Sequence, residues 1–394
     1  MKKSSPLLSA SLACAIAAIA FTATAHAQPL QCEIGGAPVN PANGHTTAGK
    51  TGLMRCRDSD GRLQREEELR DGKFIGLRTF HDRDGGKRTG NVNERGNRDG
   101  VQREYWPDGT LKREETAADG ETIGISRTFF RSGKPERITR FPDRGEPRGA
   151  GPNSSVEFNE AGQIVRLACS TLNHVKEIER PCGHLGKAAN DLHSAKGEVV
   201  AREAWDAGKL LSRTSLRNGL PASQIEISDA MRIEKTFHPD SAILRTERST
   251  ALDPDGRARR LREGRDREFA ASGQVLRDTE WRDGVAVRST EWYMNGSKRS
   301  EIERPATANT PALLRQYWDN GRLRSEEQRQ VGTGATLGQP FGSRRTYRED
   351  GSLQAETWFH PRGWRERQKD FDESGKLIAE EEFFEDGSRK SRTP

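Results

Sequence analysis

One phrase in this chain constrains its fold more than any other feature, because it recurs. "REYWPDGTLKREET" at residues 103–116 returns as "RQYWDNGRLRSEEQ" at 315–328. Aligned on the glycine, the phrase is an aromatic residue, three residues, Gly, any residue, an aliphatic residue, two more and an acid. Tyr105–Gly109–Leu111–Glu114, Tyr317–Gly321–Leu323–Glu326, Tyr347–Gly351–Leu353–Glu356 and Phe371–Gly375–Leu377–Glu380 all fit. Phe269–Gly273–Val275–Asp278 fits too, and Trp292–Gly296–Glu301 carries Lys298 at the aliphatic place. Weaker copies centre on Gly61, Gly85, Gly133, Gly162 and Gly197, and "FHPDSAILRTE" has Ser241 where the glycine would stand. From Gly61 through Gly85 and Gly109 to Gly133 every step is 24 residues, as is the step from Gly351 to Gly375. A fixed period of this size is the signature of a repeat architecture.

The unit reads as a β-hairpin. Asp–Gly and Asn–Gly between extended segments favour a tight turn, because glycine takes positive φ without a Cβ clash. A second glycine, as in "GKFIGLRTF" (Gly72), "GETIGISRTF" (Gly120) and "GQPFGSRRTY" (Gly338), suggests a looser turn between units. Aromatic and aliphatic residues flank the turns, and closely mixed Arg and Glu fill the remaining positions, which suits strands with one buried and one wet face. One hairpin cannot bury enough to be stable, so neighbouring units must stabilise each other. The expected fold is all-β: an elongated antiparallel sheet of stacked hairpin repeats with a period of about 24 residues. Two dozen strands would make a ladder on the order of 100 Å long.

Ahead of the repeats, Lys2 and Lys3 precede an apolar stretch that ends in "AHA" (25–27), the pattern of a secretory signal cleaved after Ala27. Gln28 would then be the first mature residue. A lipoprotein reading through Cys14 is disfavoured, since Ser11 poorly starts such a box and the apolar run continues past Cys14. Loss of the two lysines takes the formal charge from +6 to +4, small for a chain with 31% charged residues. Mixed-sign charge of this kind suits local ion pairs better than a phosphate-binding stripe, so no nucleic acid partner is expected. Cys32, Cys56, Cys169 and Cys182 remain, an even set that suggests two disulfides in an oxidising compartment. Three pairings are open, with the local ones, Cys32–Cys56 and Cys169–Cys182, favoured. Cys169, His174, Cys182 and His184 could instead ligate zinc, but their spacing matches no finger pattern.

The best copies, "YWPDGTLKREE", "YWDNGRLRSEE" and "YREDGSLQAETWF", resemble the bacterial unit of the MORN-repeat-variant family. The resemblance covers most of residues 57–389, unevenly. It implies stacked β-hairpins whose motif residues are structural. For function it implies immunity- or antitoxin-type neutralisation of a partner by binding, or a scaffold role. The organisation expected is a signal peptide (1–27), a cap segment with Cys32 and Cys56 (28–56), a first repeat block (57–165), a cysteine-bearing insertion (166–192) and a second block (193–390).

Nothing in the sequence is read as a serine nucleophile elbow, a phosphate-cradling glycine loop or a zinc-binding helix. The recurring acids are read as structural ion-pair partners, so no enzyme activity, cofactor, metal or small-molecule substrate is expected. His81, His238 and His360 are read as surface residues. One residue of each adjacent aromatic pair must face away from the other, which offers Trp106, Tyr293 and Trp318 as exposed partner-binding anchors, with His174 and His184 on the insertion as further candidates. The function expected is that of a non-enzymatic periplasmic protein-binding repeat protein. Its partner would be a cognate protein, a toxin or effector in the immunity form. The alternative is an envelope scaffold on lipid headgroups or peptidoglycan.

Overall fold

A computed structural model describes residues 30–146, 154–170, 175–259, 261–305, 310–331 and 337–393. The expected signal segment, with Cys14 and Gln28, lies outside the described residues, as does His174. The chain divides into two compact units, the first ending at Arg98 and the second beginning at Asp99. Both are built from antiparallel strands, joined in sequence order except that strand Gln31–Ile34 lies between Ala37–Val39 and Gly52–Arg57.

In the first unit, strands Gln31–Ile34, Ala37–Val39, Gly52–Arg57, Leu63–Arg70, Lys73–His81 and Lys87–Val92 form the ladder. Cys32 and Cys56 face each other directly across two of these strands and are joined by a disulfide. With Val39, Met54 and Leu69 they make a small apolar core, against which Ile34 and Phe74 pack.

The second unit opens with a meander from Arg98–Tyr105 to Ile164–Ala168 and closes with a 17-stranded sheet from Ala188–His193 to Arg389–Thr393. Between them lies the short helix Lys176–Glu179. The 17-stranded ladder spans on the order of 75 Å along its hydrogen-bonding direction. Its strands alternate two turns of different design. After Trp106 the amide of Gly109 donates to the Trp106 carbonyl and the Trp106 amide to Thr110, while Gly109 has φ +84°. This is a type I turn closed by a left-handed glycine bulge, and Pro107 presets its first corner. The same bond pair recurs at Trp318, Arg348 and Asp372. At the other end of each unit, Asp71–Gly72, Asp119–Gly120, Asn218–Gly219 and Asp283–Gly284 all have positive φ at both residues, the conformation of a two-residue type I′ hairpin. The expected assignment of tight and loose turns is therefore reversed: the tighter turn sits at Gly72 and Gly120. Gly338 marks no turn, lying within strand Leu337–Tyr347. The 24-residue period divides as 11 (Gly61 to Gly72) plus 13 (Gly72 to Gly85).

The one extended apolar core of the second unit among the described residues gathers Ile138, Val156, Leu167, Cys169, Val175, Ile178, Cys182, Leu192, Ala201 and Trp205. Cys169 and Cys182 are joined there by the second disulfide. Residues 175–184 are held to a hairpin turn by two backbone bonds, Ala207 to the Gly183 carbonyl at 3.0 Å and Gly208 to the Cys182 carbonyl at 2.9 Å. Gly208 permits this approach, since a Cβ there would stand 2.1 Å from the Ser170 carbonyl oxygen. Gly219, with almost the same φ of +77° against +79°, has nothing within 4 Å. The two glycines separate backbone strain from close contact. Gly219→Ala should destabilise by about 1 kcal/mol through positive φ alone, and Gly208→Ala by roughly 1–3 kcal/mol more through the clash. Urea midpoints of the two variants check this, and equal losses would mean that the segment is not docked on the turn.

Candidate functional site

Adjacent residues on a strand face opposite sides of the sheet, and several hairpins carry two acids in succession: Glu66 and Glu67, Glu114 and Glu115, Glu326 and Glu327, Glu380 and Glu381. The first acid of each pair is the one in the recurring phrase. Across the 17-stranded sheet these acids join a row of directly opposed residues whose charge alternates, Glu301–Arg315–Glu326–Arg345–Glu356–Lys369–Glu380. Arg315 donates through Nε to Glu326 at 2.7 Å, and Arg345 to Glu356 at 3.0 Å. In the 98–168 meander Arg103 donates to Glu114 at 2.8 Å. These hydrogen bonds to carboxylate raise the pKa of Arg103, Arg315 and Arg345 above the ordinary guanidinium value.

The second acid is the residue that the recurring phrase leaves out, although the doubled "EE" was there to be read. Glu67, Glu115, Glu203, Glu327 and Glu381 are all buried, on the other face. Each is held by arginine: Glu67 by Arg65 and Arg78, Glu115 by Arg113 at 2.5 Å, Glu203 by Arg213 at 3.0 Å, Glu327 by Arg329 at 2.9 Å, and Glu381 by Arg389 at 3.1 Å. Arginine stems can cover such a carboxylate while their charged heads stay wet.

The anchor candidates are not free aromatic tips. Trp106, Tyr293 and Trp318 are half-buried rather than exposed. The Trp318 indole donates to the Tyr347 carbonyl at 3.1 Å, the Tyr293 hydroxyl to the Tyr317 carbonyl at 2.9 Å, and the Trp106 indole to the Phe129 carbonyl at 3.4 Å. In each case the second residue of the aromatic pair ties its turn to the strand end of a neighbouring hairpin. Arg348 makes the same link to Phe371, and His238 to Phe269 at 3.0 Å, so His238 is a tie as well as a surface residue. Cations lie over the rings, with Lys112 4.8 Å from the centroid of Trp106 and Arg324 4.6 Å from that of Trp318. What these rings offer a partner is a cation-capped face, not a bare one.

The described part of the insertion is docked rather than projecting. Val175, Ile178 and Cys182 are buried in the apolar core, and the half-buried His184 places Nε2 3.0 Å from the Ser170 carbonyl. Cys169 and Cys182 are spent on the disulfide, so the four-ligand zinc alternative does not form. Among the described residues no group of three or more His, Cys, Asp or Glu is placed to hold a metal. Contrary to the expectation above, the sequence does contain the literal spacing of a phosphate loop, "GHTTAGKT" at 44–51. The structure gives it a different form. A phosphate loop follows a strand and its Gly-Lys-Thr opens a helix. Here the neighbouring helical turn, Gly44–Thr47, precedes Gly49 and Lys50, and strand Gly52–Arg57 follows them. The Thr51 hydroxyl accepts from the Asp71 amide at 3.0 Å.

These features define an open antiparallel sheet of hairpin repeats with an ion-paired row on one face and separate buried acids held by arginine on the other. The MORN repeat variant family model matches residues 98–119, the unit around Tyr105 and Gly109, and supports the family resemblance there. No curated protein matches the chain. Similar solved structures include the Photorhabdus luminescens Tc holotoxin pore, at 12% identity and a TM-score of 0.14, covering 86% of this chain and 18% of that one. A TcdB2–TccC3 crystal structure is similar at 12% identity and a TM-score of 0.14, covering 86% and 19%. The chain thus spans about a fifth of the length of these structures. Scores this low carry no functional inference.

Two expectations follow. Glu327→Gln should destabilise by roughly 1–3 kcal/mol, because it leaves two arginines facing a buried neutral group. Glu326→Gln on the wetter face should change stability by less than about 1 kcal/mol. Denaturation midpoints of the two variants measure the difference. The turn aspartates set the second expectation. Asp108, Asp350, Asp372 and Asp386 are held below the usual aspartate value of 3.8 by the hydroxyl of Thr110, Ser352, Ser374 or Ser388, and then by backbone amides. A depressed folded pKa gives stability that is present above 3.8 and lost as pH falls through the folded values. Thermal midpoints should stay level above about pH 5 and fall below pH 3.8. Asn at these four positions keeps the acceptor and should flatten that acid limb.

Proposed function

We propose that this chain is an exported, non-catalytic repeat protein that acts in the periplasm by binding a cognate protein, with neutralisation of a toxin or effector as its most concrete form. The observation that carries the reading is the long cross-strand row of paired Arg and Glu on one face, accompanied by cation-capped aromatics at the turns. Arg and aromatic residues are the usual anchors of protein interfaces. The carboxylates that could otherwise do acid–base work recur once per unit and are held by arginine, which favours a structural role for them. The family resemblance at 98–119 favours a binding repeat protein. The N-terminal signal pattern and the two disulfides favour an oxidising compartment outside the cytoplasm.

Affinity capture tests this, using residues 28–394 with the disulfides intact as bait, in periplasmic extract and with co-expressed products of neighbouring genes. The expected result is one stoichiometric protein partner whose toxicity the bait suppresses. Recovery only in an envelope fraction that salt releases would overturn the reading and favour an envelope scaffold.

A further inference from the structure

The ion-paired row lapses at one place where a cation is due. Followed back from Glu301 through directly opposed residues, it begins Lys235–Glu247–Arg267–Asp278–Thr290–Glu301. From Lys235 to Glu380 the sign alternates at every step except Thr290, which holds the place that Arg315, Arg345 and Lys369 fill further along. Two other uncharged members, Thr214 and Gln224, lie between the cations Arg202 and Lys235. Thr290 is therefore the row's one uncharged residue with an acid on either side.

Both flanking acids are held from elsewhere. Arg265, on the strand beyond Asp278, donates to it through Nε at 2.7 Å. Glu301 accepts from Lys298 of its own strand at 3.0 Å and from the Tyr317 hydroxyl, on the strand beyond, at 3.3 Å. Thr290 itself is only 7% exposed, and its hydroxyl has no hydrogen-bond partner among the described residues. A groove of about 840 Å³ lies over it, lined also by Glu301 and by the half-buried Asp278 and Trp292. The other cations along this groove are matched, Arg282 with Glu280 and Arg288 with Glu303. No cation covers the Trp292 ring among the described residues, although Trp281, Trp318 and Trp358 each carry one. The gap in the row and the uncapped ring stand two residues apart on strand Val285–Trp292, and so on one face.

These surroundings define what can fill the place. An anion would meet a carboxylate on either side. A cation would gain from both, because a carboxylate offers about four lone-pair sites and the bonds above leave some free on each acid. A planar guanidinium suits the place better than an ammonium, since it pairs with carboxylates and stacks on an aromatic face. We propose that this gap binds an arginine side chain of the protein partner, its guanidinium set over Thr290 between Asp278 and Glu301 and against Trp292. The source of that arginine rests on the protein-binding reading above; the chemistry of the site does not.

The test titrates residues 28–394, disulfides intact, with a capped glycine–arginine–glycine peptide and with its neutral citrulline counterpart. The expected result is saturable binding of the arginine peptide that salt weakens. In a proton–nitrogen spectrum it should move the Thr290 amide and the Trp292 indole but leave the Trp318 indole in place. Citrulline should weaken binding about tenfold or more, the worth of one hydrogen bond to a charged group. Thr290→Arg, which completes the row from within, should abolish peptide binding and reduce capture of a protein partner, with a melting temperature unchanged or higher. No binding, equal binding of the citrulline peptide, tighter binding of free arginine than of the peptide, or binding retained by Thr290→Arg would each overturn the inference. Undiminished partner capture by Thr290→Arg would overturn it while the protein-binding reading stands; failure to capture any partner would overturn that reading and, with it, the source of the arginine. If Thr290→Arg fails to fold, the arginine–citrulline comparison and the two resonances of the unaltered chain decide the matter.

Discussion

Cross-strand pairing of arginine with carboxylate is the interaction on which most of this structure rests. Beyond Trp205 the buried apolar residues of the second unit are mainly alanines, with Leu252 and Phe383 besides. A sheet of 17 strands with so little apolar burial cannot rely on a central core. Each pair contributes only roughly 0.2–1 kcal/mol, but the row repeats with every strand. Stability is then a sum of small nearest-neighbour terms, as in other repeat arrays. The buried second acids add specificity to that sum. A one-residue slip would carry Glu327 to the other face and leave Arg344 on the next strand without it, so a buried ion pair helps fix register in the way an apolar face does in a sandwich.

The two turn designs serve the same end. A type I turn with a glycine bulge adds a residue to one arm, and the register shifts recorded at Tyr105, Tyr317, Tyr347 and Phe371 fall at the base of that turn. A bulge increases local twist and re-aims the side chain beside it. The residue that follows the bulged aromatic is thereby placed to reach a neighbouring hairpin, where Trp318 and Tyr293 find backbone carbonyls. Turn, bulge and aromatic tie form one device, repeated where the sequence repeats.

The period, the strand content and the local cysteine pairs were legible because each leaves a mark at fixed spacing. The turn classes were not, because "DG" appears in both; what separates them is whether a proline or strand-end aromatic stands before it, as in "YWPDG", or a strand runs straight in, as in "LRDGK". The aromatic anchors were misread for a related reason. Alternation gives the face a ring occupies but not what meets its edge, and the partners of Trp106 and Trp318 are carbonyls 23 and 29 residues away. The docking of residues 175–184 depended on Gly208, a position outside the recurring phrase. The 44–51 string shows the converse: correct spacing in the wrong order of strand and helix.

A surface built from internally satisfied pairs also limits what can bind it. Where every acid has its arginine, an incoming charge gains little unless it displaces a resident one, and exposed pairs are screened beyond about 8 Å at physiological salt. Recognition on such a face must come from shape, from the cation-capped rings, or from the places where the row lapses.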